Sequence, residues 1–69
     1  MCQMSVEYEE NGAAKTVMEN ATYLEVTAEG IRVSTLFEEP KDIAGAYVKS
    51  IDFMGGKVTL APVGETKND

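Results

Sequence analysis

TYLEVTAEGIRVSTLF, residues 22–37, alternates apolar and polar side chains through two runs and reverses once between them. Leu24, Val26 and Ala28 share one parity, and Glu25, Thr27 and Glu29 the other. After the reversal, Ile31, Val33, Thr35 and Phe37 alternate with Arg32 and Ser34. A period of two marks strands with one buried face. The stretch therefore reads as an antiparallel hairpin, with Glu29-Gly30 as its tight connection. Leu36 breaks the polar parity and points to a bulge or a second apolar surface.

The same period extends outward. In QMSVEYEE (residues 3–10), Met4, Val6 and Tyr8 oppose Ser5, Glu7 and Glu9. Asn11-Gly12 follows, a pair suited to a type I′ turn because both central residues need positive φ. AAKTVME (13–19) reads as the return strand, with weaker alternation. Downstream, EEPKDIAG (38–45) reads as irregular, with room for one helical turn: Pro40 lacks a ladder donor and Gly45 frees the backbone. AYVKSIDF (46–53) and KVTLAPV (57–63) read as two more strands joined through Met54-Gly55-Gly56. Ile51 and Phe53 share a face, and Phe37 and Phe53 are expected in the core. The four methionines read mostly as packing residues: Met4 in the core, Met18 and Met54 against sheet edges. There is no helical period and no internal repeat. Some six short strands are too few for an ordinary two-sheet sandwich. The expected fold is all-β: a small, strongly bent antiparallel sheet, or a partly closed SH3- or Sm-like barrel. Residues 1–63 form its single domain and 64–69 a frayed polar tail.

With 69 residues, the chain buries only about 60% of its unfolded surface. Small chains usually need help beyond one core. One cysteine forms no internal disulfide, and no histidine is present to build a structural zinc site. Association with a second copy is the support left open, so a homodimer is expected. Acidic residues number 12 and basic residues 6, for a net charge of −6. The cations Lys15, Arg32, Lys41, Lys49, Lys57 and Lys67 are scattered singly, which argues against phosphate backbones and anionic membranes. No apolar run reaches the roughly 20 residues of a membrane span, and residues 1–12 lack a signal-peptide pattern. A cytoplasmic location is expected. Asn20-Ala21-Thr22 matches a glycosylation sequon and is read as chance.

Catalytic chemistry is poorly supplied, and the chain reads as a non-enzyme. A cysteine nucleophile has no histidine base, and the carboxylates alternate outward or cluster in turns. The exception is Cys2, the only thiol, within MCQMSV (residues 1–6). It continues the parity of Met4 and Val6, so one reading makes it a small buried hydrophobe. The other makes it a ligand. If Met1 is removed, the Cys2 thiolate and free amine form a chelate; if Met1 stays, the Cys2 backbone nitrogen can take the place of the amine, provided the metal displaces the amide proton. A twofold axis presents that pair twice, giving S₂N₂ from two chains. Flat nitrogen-containing fields favour Ni(II) or Cu(II), and a tetrahedral field zinc.

These residues also carry a family resemblance. MC at the start, the SVEY strand, MENATYLEV, VSTLFEE, Gly45 and VKSIDFMGGKVTL occur in an order similar to that of the CooT-like nickel-binding proteins, a family formerly labelled RNA-binding. The likeness spans residues 1–61. It implies a small β homodimer that binds Ni(II) through Cys2 of both chains and supports nickel insertion into an enzyme such as carbon monoxide dehydrogenase. Met4 stands where many members have a small residue. Two alternatives from other classes are an RNA-binding β-barrel that stacks bases on Tyr8, Tyr23 or Tyr47, and an interaction subunit pairing through a strand edge.

Overall fold

The computed structural model describes residues 3–64. They form β1 (Met4–Glu10), β2 (Ala13–Val26), β3 (Gly30–Thr35), β4 (Glu38–Ala44), β5 (Ala46–Asp52) and β6 (Lys57–Pro62). All six belong to one sheet in the order β4-β3-β2-β1-β6-β5. The architecture is the all-β, partly closed barrel that the alternation implies. Four pairings are antiparallel. The fifth, β1 with β6, is parallel, with Val6 opposite Val58. Among the described residues no helix is long and apolar enough to cross a membrane.

β2 is the spine of the sheet. Its 14 residues join AAKTVME and TYLEV into one strand, paired first with β1 and then with β3. Met18 and Ala21 are buried, and Leu24 packs against the same core. These three are spaced three apart because register shifts interrupt both ladders. Each bulge adds a residue, bends the strand and returns the next apolar side chain to the inner face. Asn20 takes up part of the bend at φ 60°, a conformation that asparagine tolerates better than most residues. Val6, Ile31, Val33 and Leu60 form the centre of the core, none more than 2% exposed.

One residue closes the barrel. β4 and β5 are the two outer strands of the sheet, yet only Gly45 separates them in the chain. The sheet therefore curls until its edges meet at that point. Gly45 turns at φ 69°, where glycine has no side-chain penalty. Its N–H donates to the Glu29 carbonyl at 2.7 Å, and its own carbonyl accepts from Val63 N–H at 2.7 Å. The corner is thus tied to the β2–β3 loop and to the end of β6. In that loop the Thr27 N–H donates to the Gly30 carbonyl, and the Gly30 N–H donates to Thr27 Oγ1. The reversal occupies Thr27–Glu29 rather than Glu29-Gly30 alone. A Cβ on Gly30 would collide with the Ile43 carbonyl oxygen.

Several local expectations are corrected. EEPKDIA is strand β4, not an irregular segment. It is an outer strand, and Pro40 falls inside a register shift between Val33 and Thr35 of the β3 ladder, so its missing N–H interrupts little. Phe37 is 72% exposed and Phe53 81% exposed. Each lies just past a strand end, where alternation no longer assigns a face. Met18 is core rather than edge, and Met54 is fully exposed. Of the 64–69 tail, residues 65–69 lie outside the described residues.

Arg32 and Asp42 face each other across β3 and β4. Arg32 Nε donates to Asp42 Oδ1 at 2.6 Å and Nη2 to Oδ2 at 3.2 Å. The hydrogen bond from Arg32 holds the Asp42 carboxyl below its ordinary value of 3.8. A depressed carboxyl stabilises the fold above its ordinary range, and that contribution disappears as pH falls through the lowered value. Both side chains are exposed, so salt screens the pair.

Two outcomes test this description. Leu60→Ala should cost about 2–5 kcal/mol and Gly30→Ala about 1–3 kcal/mol in urea unfolding, and unchanged midpoints would contradict the packing. Asp42→Asn should weaken the loss of stability between neutral pH and pH values below the ordinary carboxylate range. A wild-type and Asp42→Asn pair with identical acid limbs at low salt would show that the ion pair contributes nothing.

Candidate functional site

The inner face of the sheet can be followed row by row. Met18 of β2, Val6 of β1, Val58 of β6 and Ile51 of β5 are successive cross-strand neighbours. Their exposures are 5%, 1%, 6% and 46%. This apolar row is sealed through three strands and then runs off the edge of the sheet uncovered. The next row, Tyr8, Leu60 and Val48, ends differently. Val48 is half-buried and packs against the core, because the corner at Gly45 brings β3 onto β5 there. A register shift between Val48 and Ser50 keeps both Val48 and Ile51 on the inner face. The barrel is closed near the start of β5 and open near its end.

The open end is where β1 begins. The Ser5 N–H donates to the Gly56 carbonyl at 2.8 Å, which fixes the start of β1 against the β5–β6 turn at residues 53–56. Phe53 and Met54 project from this turn into solvent. Asp52 folds its carboxylate into the same turn, accepting from the Gly55 N–H at 2.9 Å. On the β2 side stands Tyr23, 57% exposed. Tyr23 borders a concavity of ≈ 120 Å³ lined also by Met4, Val6, Ala21, Thr22, Leu24 and Val58. We refer to this apolar opening as the mouth.

Cys2, the residue singled out as a metal ligand, lies outside the described residues, as does Met1. Met4 is half-buried and packs against the core, as its parity implied. Among the described residues, no three His, Cys, Asp or Glu side chains cluster so as to hold a metal ion. Three of the cations among the described residues are engaged singly. Arg32 is engaged by Asp42, Lys49 Nζ lies 2.8 Å from Glu9 Oε1, and Lys41 Nζ donates to the Val17 carbonyl at 3.1 Å. Phosphate binding needs several cations facing one surface, and these three pair singly at separate places.

Sequence parity with Ile51 places Phe53 in the core and so hides the mouth. The signal that could have revealed it is Gly55-Gly56: a turn of that composition draws Phe53 and Met54 out of the strand.

Residues 1–61 match a protein-family model described as CO dehydrogenase accessory protein CooT. A crystal structure provisionally described as CooT, from Carboxydothermus hydrogenoformans, superimposes with a TM-score of 0.80 at 21% identity. The match covers 88% of this chain and 97% of that one, and at this identity it speaks for the fold alone. No curated protein matches the chain.

Proposed function

Since the chain belongs to the CooT family of CO dehydrogenase accessory proteins, we propose that it is a small nickel(II)-binding accessory protein whose metal is held by Cys2 of two chains at a homodimer interface. The client is a nickel enzyme such as carbon monoxide dehydrogenase. The observation that supports this reading is the place of the only thiol in the sequence, Cys2, two positions before the first residue of β1. Here nickel is cargo, to be taken up and passed on.

The chemistry follows from the donor set. A thiolate is a soft, strong ligand, and the backbone nitrogen of the same residue closes a small chelate ring with it. One chain then supplies two donors. A second chain related by a twofold axis supplies the same two, which satisfies a flat four-coordinate field of the kind Ni(II) adopts. Serine in place of Cys2 would leave a hydroxyl that stays protonated at neutral pH and binds nickel poorly. Because the thiol must lose its proton to bind, protons compete with the metal and affinity falls as pH falls. The acidic chain, at net charge −6, attracts divalent cations and offers no groove for RNA.

Nickel titration of the full chain, followed by thiolate-to-nickel charge-transfer absorption, tests the proposal. Wild type should saturate at one metal per two chains, with weaker binding at acid pH, and Cys2→Ser should lose the band and at least a hundredfold in affinity. Equal nickel binding by wild type and Cys2→Ser would sink the reading.

A further inference from the structure

We propose that the groove beside the Gly45 corner, bordered by Val26, Tyr47 and Val63, is the surface that docks the client enzyme. It takes an exposed client segment with an aliphatic side chain next to a lysine or arginine. This rests on the reading above in one respect: an accessory protein has a client to dock.

The groove has a volume of ≈ 350 Å³ and shares no lining residue with the mouth. Ile31 and Ala46 reach it from the core, at 2% and 5% exposure. Val26, Tyr47 and Val63 also line it, at 72%, 45% and 64%. Single exposed apolar residues are ordinary on a protein surface. Several gathered on one concavity with a charged border mark a contact surface.

The walls of the groove are held in place. Thr27 and Gly30 tie the β2–β3 loop to itself, through the Thr27 N–H and the Gly30 N–H. The Gly45 N–H donates to the Glu29 carbonyl, and the Val63 N–H donates to the Gly45 carbonyl. All five of these residues line the groove. A groove fixed in advance spares a partner the entropy of ordering it. Both main-chain groups of Gly45 are already engaged, so recognition at the corner falls to side chains rather than to strand addition.

Charge selects the occupant. Glu29 is the one charged residue in the lining of the groove. Glu25 and Glu29 both favour the charged form of Arg32, but that guanidinium is held by Asp42 at 2.6 Å. Three carboxylates thus surround one cation, and this side of the sheet keeps an excess of negative charge. A second copy at net charge −6 would set carboxylates against carboxylates, and a phosphate-rich partner would be repelled in the same way. An aliphatic side chain beside a lysine or arginine satisfies both halves of the surface. The aliphatic group covers Val26, Tyr47 and Val63, and the cation lies against Glu29.

Isothermal titration of the full chain with purified, nickel-free carbon monoxide dehydrogenase tests the surface separately from the metal. Wild type should bind at micromolar concentration, more weakly as salt rises. Val26→Asp and Glu29→Lys should each weaken binding roughly tenfold or more with unchanged circular dichroism. Glu29 meets Gly45 through its main chain, so Glu29→Lys keeps that hydrogen bond. Leu36→Asp, at an exposed position on the β3–β4 turn, should bind the enzyme like wild type. Cys2→Ser should lose nickel and still bind the enzyme, which separates the two proposals. The docking surface is overturned, whatever the nickel titration shows, by a wild type that does not bind the enzyme or by binding indifferent to both Val26→Asp and Glu29→Lys. Losses as large in Leu36→Asp or Cys2→Ser would overturn it too. A Cys2→Ser protein that docks normally and binds nickel like wild type would leave the surface standing and remove the metal reading.

Discussion

The curl of the sheet is fixed where its two outer strands meet at one residue. β4 and β5 occupy opposite edges of a six-stranded sheet, and Gly45 alone links them. A flat sheet cannot satisfy that connection, so twist must accumulate through every ladder between the edges. The bulges supply it: register shifts occur in four of the five pairings, all but the parallel one. Hydrogen bonds from Gly45 to Glu29 and from Val63 to Gly45 then hold the corner. Closure at one corner leaves the far end of β5 paired on one side only, with β6. The open mouth is the geometric consequence of a short chain closing a barrel at one place only.

How much of this was legible depended on how locally each feature is encoded. Leu24, Val26, Ile31 and Val33 face each other in the β2–β3 register, as their alternation implied. β1 and β6 were legible for the same reason. β2 was harder, because two bulges replace a period of two by a spacing of three at Met18, Ala21 and Leu24. A bulge depends on tertiary curvature and leaves only weak marks, here an asparagine at positive φ. Pro40 misled in the opposite direction. It reads as a breaker, but an outer strand with a register shift has no ladder bond for it to break. The parallel pairing of β1 with β6 joins the two ends of the chain and has no local signature at all.

The site divides along the same line. Cys2 could be singled out by elimination, since no other thiol and no histidine exists. The apolar setting around the start of β1 could not. Phe53 shares a parity with Ile51, and only the turn at Gly55-Gly56 places the phenylalanine outside. What sequence periodicity reports is the face a residue would occupy if the strand continued. Where the strand stops, as at Phe37 and Phe53, that inference loses its basis, and those are the positions left free to contact something other than the chain itself.

On the proposed reading, association and metal binding are separate jobs for neighbouring groups. Association would bring two chains together, and the paired thiols would bind the metal. The two are linked: whatever factor nickel adds to dimer affinity, dimerisation adds to nickel affinity. A dimer assembled beforehand spares the metal the entropy of bringing chains together, so two donors per chain suffice for a firm hold. A closed cage of four ligands from one chain would hold nickel as well but without that linkage.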